Sequence, residues 1–217
     1  RINKVYRLGN AKLGKGMGHK LLKEVIQTEL GLSIDRTVAI DFEGFASIVD
    51  MLGGIQVQVQ CPIRDNFVAP DSPTGYLEFH VEAGLQRMDG HSALMFTRSR
   101  HGRTDLDRTR RQQAVLMGIR DKVLGEKLFE LPFLYTRMEE FVNTDMDFLQ
   151  AMSVARWLKE MRGVDIHGFV LGKKVLEKMT TEDGKSVLLL DKEAYQKDLK
   201  KMYVNKGSGL FQKYSCP

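Results

Sequence analysis

Six arginines crowd the fourteen residues from Arg98 to Arg111: Arg98, Arg100, Arg103, Arg108, Arg110 and Arg111, with Asp105 and Asp107 among them and Gln112 and Gln113 behind. The chain has fifteen arginines in all, yet no lysine between Lys23 and Lys122. A guanidinium stays charged at any ordinary pH, and its planar fork grips two oxygens of one phosphate or carboxylate, whereas a lysine is a flexible point charge. Such a set can hold a polyanion and neutralise the charge that develops on it.

The elements around the window must aim these groups. If a helix starts near Arg108, then Arg108, Arg111, Gln112, Val115 and Ile119 share one stripe at helical spacing. Val115 and Ile119 face the core, which draws Arg108, Arg111 and Gln112 toward the protein body and turns Arg110 away. Cations in a first helical turn oppose the helix dipole by ~0.3 to 1 kcal/mol each, so an anion must offset them. Asp105 and Asp107 can do so locally, by pairing or capping. An external anion at the helix start can do so equally. Arg98 and Arg100 come from the preceding segment. If Leu94 to Arg100 is extended, both share a face with Phe96; if Asp89 caps a short helix, only one of them faces the site. Either way, two arginines from each segment suit one pyrophosphate.

A chain of 217 residues with 42% hydrophobic content builds one large domain or two small ones, and disorder is excluded. A net charge of +5 favours anionic partners, whether nucleic acid, anionic lipid or a phosphorylated substrate. No apolar run is long enough to span a membrane. Cys61 and Cys216 lie too far apart for a clustered zinc or redox motif; they are either unrelated thiols or a single disulfide closing a long loop, worth up to ~5 kcal/mol. His19, His80, His91, His101 and His167 show no ligand spacing and are expected at the surface or in loops. Gly14, Gly16 and Gly18 do not follow a strand as a nucleotide loop would. Trp157 and the methionines read as core.

Apolar periodicity predicts a helix from Met17 to Leu30 ended by Gly31, and a strand from Val38 to Phe42. A helix from Glu43 to Leu52 and a strand from Ile55 to Val59 follow. The prolines and turn residues between Cys61 and Gly75 predict a long loop, and Tyr76 to Val81 alternates as a strand. Gly84 and Asp89-Gly90 punctuate what comes next. Helices are predicted over Arg108 to Leu124, over Lys127 to Val142 with a bend or start at Pro132, and on to Arg162 from a cap at Thr144 or Asp145, with Leu149, Met152 and Met161 inward. Phe169 to Leu171 and Val187 to Leu190 are strand candidates, and Asp191 caps a last helix. Strands alternating with helices predict an α/β domain.

Together, Arg1-Ile-Asn-Lys-Val-Tyr, Ala39-Ile-Asp-Phe-Glu-Gly-Phe, Ile48-Val-Asp-Met-Leu-Gly-Gly-Ile, Met88-Asp-Gly, Arg98-Ser-Arg100 and Asp105-Leu-Asp-Arg-Thr-Arg-Arg-Gln-Gln113 resemble the catalytic domain of the LytR-CpsA-Psr family, phosphotransferases of the bacterial cell envelope also labelled transcriptional attenuators. Weaker similarity runs through Asn143-Thr-Asp145. The resemblance implies a three-layer α/β/α sandwich around a mixed sheet, forming one domain over residues 1–217 that ends in a strand-strand-helix extension, 164–217. It implies an extracytoplasmic protein anchored to the cell membrane by an upstream helix. The implied reaction moves a glycan phosphate from a polyprenyl-pyrophosphate glycopolymer to a hydroxyl of peptidoglycan or another wall acceptor, assisted by Mg2+.

Carried onto this chain, Arg98, Arg100, Arg108 and Gln112 become the catalytic ligands of the pyrophosphate. Arg111 becomes a further substrate contact, and Phe42, Phe45 and Phe96 become walls of a lipid tunnel. The family's metal ligands belong to strands that precede the segment beginning at Arg1. Two rival readings are a non-catalytic module for an anionic polymer or pyrophosphate lipid, and a DNA-binding attenuator. The absence of a helix-turn-helix and of aromatics between the arginines argues against nucleic acid.

Overall fold

The computed structural model describes residues 4–99, 105–125, 130–160 and 175–204. At its centre is β2 (Ile55–Val59), where Ile55, Val57 and Val59 are buried while Gln56 and Gln58 face outward. It pairs antiparallel with β5 (Gly84–Met88), from Ile55 opposite Met88 to Val59 opposite Gly84. Val49, Ile63, Met88, Ala93, Phe96 and Val115 complete the core around β2, with Phe45 and Ile119 packed against it.

Three helices close over this pair. The helix α3 (Phe42–Met51) is capped by Asp41, which accepts from Gly44 N at 2.8 Å. The helix α4 (Gly90–Arg98) is capped by Asp89, which accepts from Ser92 N at 2.7 Å. That bond holds the Asp89 carboxyl below the usual carboxylate range. The two helices approach so closely that a Cβ on Gly90 would lie 2.1 Å from the Ala46 carbonyl oxygen, and Asp50 Oδ1 accepts from Gly90 N at 2.7 Å. The long α5 (Asp105–Gly125) lies on β2 through Gly118, where a Cβ would stand 2.5 Å from the Gln56 carbonyl oxygen.

The loop expected from Cys61 to Gly75 is instead interrupted by a strand. β3 (Ile63–Val68) pairs with β4 (Tyr76–Val81) in an antiparallel hairpin from Ile63 opposite Val81 to Val68 opposite Tyr76. The turn is shortened to residues 69–75, closed by Ala69 N donating to Gly75 O at 2.9 Å. Arg64, Asp65 and Asn66 obscured the alternation because the partner of Asp65 lies elsewhere in the fold. β5, read from sequence as punctuation, is likewise a strand only because β2 pairs with it.

Ahead of the core, α1 (Val5–Leu13), which periodicity did not pick out, supplies Asn10. Its Oδ1 accepts from Gly16 N and Gly18 N at 3.1 and 2.9 Å and so caps α2 (Met17–Leu30). Gly31 ends α2 in the left-handed region at φ 67°, as its place in the sequence predicts. A polar knot then binds α2 to β1 (Val38–Ile40) and β6 (Val142–Thr144), which pair antiparallel. His19 is 5% exposed rather than on the surface. Its Nδ1 lies 2.6 Å from Thr37 Oγ1, its Nε2 2.7 Å from Asn143 Oδ1, and the Tyr6 ring stands edge-on at 4.9 Å. Asp145 accepts from Lys23 Nζ at 2.6 Å and from Thr37 N at 2.8 Å.

The remaining helices lie away from the core. α6 (Leu131–Met138) has Pro132 in its first turn and passes through a 3-10 turn, Glu139–Phe141, into β6. α7 (Phe148–Glu160) is capped by Asp147, which accepts from Gln150 N at 2.8 Å, because Thr144 and Asp145 are already bonded to the segment around Thr37. None of its residues is fully buried: Leu149 is 74% exposed and Trp157 57%, against the expectation that both face inward. The hairpin of β7 (Leu176–Thr180) and β8 (Ser186–Leu190) leads to α8 (Lys192–Val204), capped by Asp191. Phe169 to Leu171 and Met161 lie outside the described residues.

The architecture is mixed α/β, as alternation predicts. Among the described residues the strands form four separate antiparallel pairs rather than one continuous mixed sheet. No described helix is long and apolar enough to cross a membrane. Cys61 is buried and disulfide-bonded; Cys216 lies outside the described residues.

Gly118→Ala is expected to cost about 1 to 3 kcal/mol in urea unfolding, since the new methyl meets backbone and not a flexible side chain. Burial would raise the Asp145 pKa, but bonds from Lys23 and Thr37 and the Lys23 charge outweigh it and hold the carboxyl at about 2. A depressed carboxylate adds stability above its unfolded value that disappears as pH falls through the folded one. About 1 to 2 kcal/mol should therefore be lost between pH ~4 and ~2, and Asp145→Asn should flatten that part of a stability-against-pH curve.

Candidate functional site

Asp89 decides how Arg98 is presented. Because its side chain caps a helix, Leu94 to Arg98 is helical, not extended, and Arg98 sits exposed at the C-terminal end of α4 while Phe96 turns into the core at 2% exposure. Arg100 and Arg103 lie outside the described residues.

On α5, successive side chains turn by roughly 100°, so residues 108 and 112 point nearly together, 111 turns to one flank and 110 to the far side. The helix starts earlier than the sequence suggests, at Asp105, so Asp107 is a helical residue rather than a cap. It pairs with Arg110 Nη1 at 3.1 Å, one turn along. The local Asp-Arg pairing thus falls on the arginine that points away.

Arg111 points inward and is 5% exposed. Its Nε donates to the Phe96 carbonyl oxygen at 3.1 Å, and its Nη2 donates to the Ser99 carbonyl oxygen. These carbonyls belong to the end of α4, where the last C=O groups lack intrahelical partners and carry the negative end of the dipole. Expected to contact substrate, Arg111 instead lies behind the site and joins α4 to α5.

Arg98, Arg108 and Gln112 meet around one cleft of about 520 Å³, together with Phe42, Thr97, Asp65, Asn66 and Phe67. The Arg98 guanidinium lies 4.9 Å from the Phe42 ring centroid and 5.7 Å from that of Phe67. Of the proposed tunnel residues, Phe42 is 60% exposed at this cleft, whereas Phe45 and Phe96 pack in the core. β3 contributes Asp65, Asn66 and Phe67, residues that read as loop in the sequence. The alternation of Ile63, Asp65 and Phe67 ahead of a Pro-rich turn was the available signal.

Asp65 Oδ2 accepts from Ser99 Oγ at 2.7 Å. Among the described residues no three His, Cys, Asp or Glu side chains converge, so those residues do not by themselves fit a magnesium ion. What the cleft offers is the positive charge of two guanidinium groups, the amides of Asn66 and Gln112, aromatic surface, and one carboxylate, Asp65, that is bonded to Ser99.

The LytR_cpsA_psr family matches residues 1–203. The chain belongs to that family. It is 25% identical over 182 residues to the cell wall biosynthesis protein LcpA of Corynebacterium glutamicum, covering 82% of this chain and 33% of LcpA. It spans between about a third and two fifths of the curated relatives it matches first. The fold is similar to that of B. subtilis TagV, with a TM-score of 0.69 and 20% identity over 94% of this chain and 73% of TagV. It is also similar to TagT bound to LIIa-WTA, with a TM-score of 0.60 and 18% identity over 92% of this chain and 70% of TagT.

Arg111→Met should leave two buried carbonyls without their charged donor and lower stability by about 2 to 4 kcal/mol. Urea titration would register this as a lower midpoint at unchanged slope, while Arg110→Ala, which removes a half-buried pair one helical turn long, should lower stability by about 1 kcal/mol or less.

Proposed function

We propose that the cleft binds the pyrophosphate of a polyprenyl-linked glycopolymer and transfers the glycan phosphate to a hydroxyl of the cell wall. The observation that carries this reading is the meeting of Arg98 from α4 with Arg108 and Gln112 from α5 around one cleft beside Phe42. Charged forks and an amide suit the oxygens of a pyrophosphate, and the exposed ring suits the start of an apolar chain. LcpA's assignment to cell wall biosynthesis and the LIIa-WTA bound to TagT, a wall teichoic acid precursor, support a glycopolymer as the substrate class.

In the transfer, the acceptor oxygen bonds to the glycan-side phosphorus, the P–O bond to the polyprenyl phosphate breaks, and the hydroxyl proton is released. Charge grows on the departing phosphate and the equatorial oxygens. Catalysis of this kind is chiefly positioning and neutralisation, which pre-aimed guanidinium groups supply without reorganising. Because α5 is pinned by Arg111, Arg108 need not be ordered when substrate arrives. Magnesium, implied by family resemblance, would add to this neutralisation, and peptidoglycan is the acceptor the same resemblance implies.

Arg108→Ala should lower turnover about tenfold to a hundredfold, the equivalent of one charge-assisted contact. The assay is release of polyprenyl phosphate from a polyprenyl-pyrophosphate glycan in the presence of magnesium. Binding of the lipid by the unaltered chain without release would favour a non-catalytic carrier, and unchanged turnover in the variant would remove Arg108 from the site.

A further inference from the structure

Two consecutive same-face residues of β3 hold two consecutive residues at the end of α4. Asp65 accepts from Ser99 Oγ at 2.7 Å, and Phe67 places its ring 5.7 Å from the Arg98 guanidinium. Residues i and i+2 of a strand project on one side about 6.8 Å apart, so one short strand addresses both. Phe67 is itself braced edge-to-face against Phe79 of β4, with centroids 6.3 Å apart. The Phe42 ring also stands 4.9 Å from the same guanidinium. Among the described residues no hydrogen bond or ion pair holds the Arg98 head group, so the two rings restrain it while its N–H donors stay available to a ligand.

We infer that Phe67 is a positioning residue, which with Phe42 clamps Arg98 between two aromatic faces and aims its fork into the cleft. The Asp65–Ser99 bond sets the distance at which the clamp closes. This deepens the pyrophosphate reading and rests on it for its functional consequence, but the clamp itself is a property of the unliganded chain. An aromatic face attracts a guanidinium without using its donors, whereas a carboxylate in the same place would occupy them and cancel the charge.

The test is a double-mutant cycle on the full chain, with inorganic pyrophosphate as the probe in calorimetry and the Arg98 Nε–H proton, assigned by its loss in Arg98→Lys, followed by NMR. Phe67→Leu should weaken pyrophosphate binding roughly twofold to fivefold, with Phe67→Tyr restoring it. In an Arg98→Ala background Phe67→Leu should cost nothing further, because its effect passes through Arg98. The Arg98 proton, shielded by the rings, should move downfield in Phe67→Leu. An equal loss in both backgrounds, or an unmoved proton, overturns the clamp. If Phe67→Leu does not fold, Phe42→Leu removes the exposed ring of the pair and runs the same cycle. Should the proton and the cycle behave as expected while the unaltered chain releases no polyprenyl phosphate, the transfer reading fails and the clamp stands.

Discussion

The site depends on one buried guanidinium. Arg111 leaves water to donate to the carbonyls that end α4, and so turns the unsatisfied terminus of one helix into the anchor of the next. A buried charge without partners would be prohibitively costly; against two aligned carbonyl dipoles at the negative end of a helix it becomes a strut. Fixing Arg111 fixes the rotation of α5 about its axis. That rotation carries Arg108 and Gln112 to the cleft, sends Arg110 to its half-buried pair with Asp107, and seats Val115 in the core.

Close backbone contact supports the strut from both sides. Gly90 lets the start of α4 press on the Ala46 carbonyl of α3, and Gly118 lets α5 press on the Gln56 carbonyl of β2. These two glycines leave little room for either helix to slide, so the distance between Arg98 and Arg108 is set by packing. β3 then closes the third side with Asp65 and Phe67. A second polar knot, His19 with Thr37 and Asn143 and Asp145 with Lys23, performs the same service for α2, β1 and β6. It also explains why Thr144 and Asp145 do not cap α7.

Helix limits and caps were legible wherever the signal is local. Gly31 ends α2, Asp191 caps α8, and Val115 and Ile119 mark the inward stripe of α5. Failures came where partners are distant in the chain. β3 is hidden in the sequence by three polar residues whose use is tertiary, β5 has no pattern apart from β2, and Trp157, apolar enough for a core, lies on α7, none of whose residues is fully buried. His19 looked like a surface residue because its partners, Thr37 and Asn143, are remote in sequence.

By itself the sequence determined the type and density of charge in the window from Arg98 to Arg111, because residue identity alone decides that guanidinium stays protonated and binds oxyanions in pairs. It also determined that Arg108 and Gln112 travel together, since helical period follows from backbone geometry. Which arginine serves the cleft and which serves the fold was decided only by tertiary structure. Arg98, Arg108, Arg110 and Arg111 are chemically identical; burial beneath the end of α4, pairing with Asp107 and stacking on Phe42 and Phe67 are what divide them into strut, half-buried pair and cleft lining.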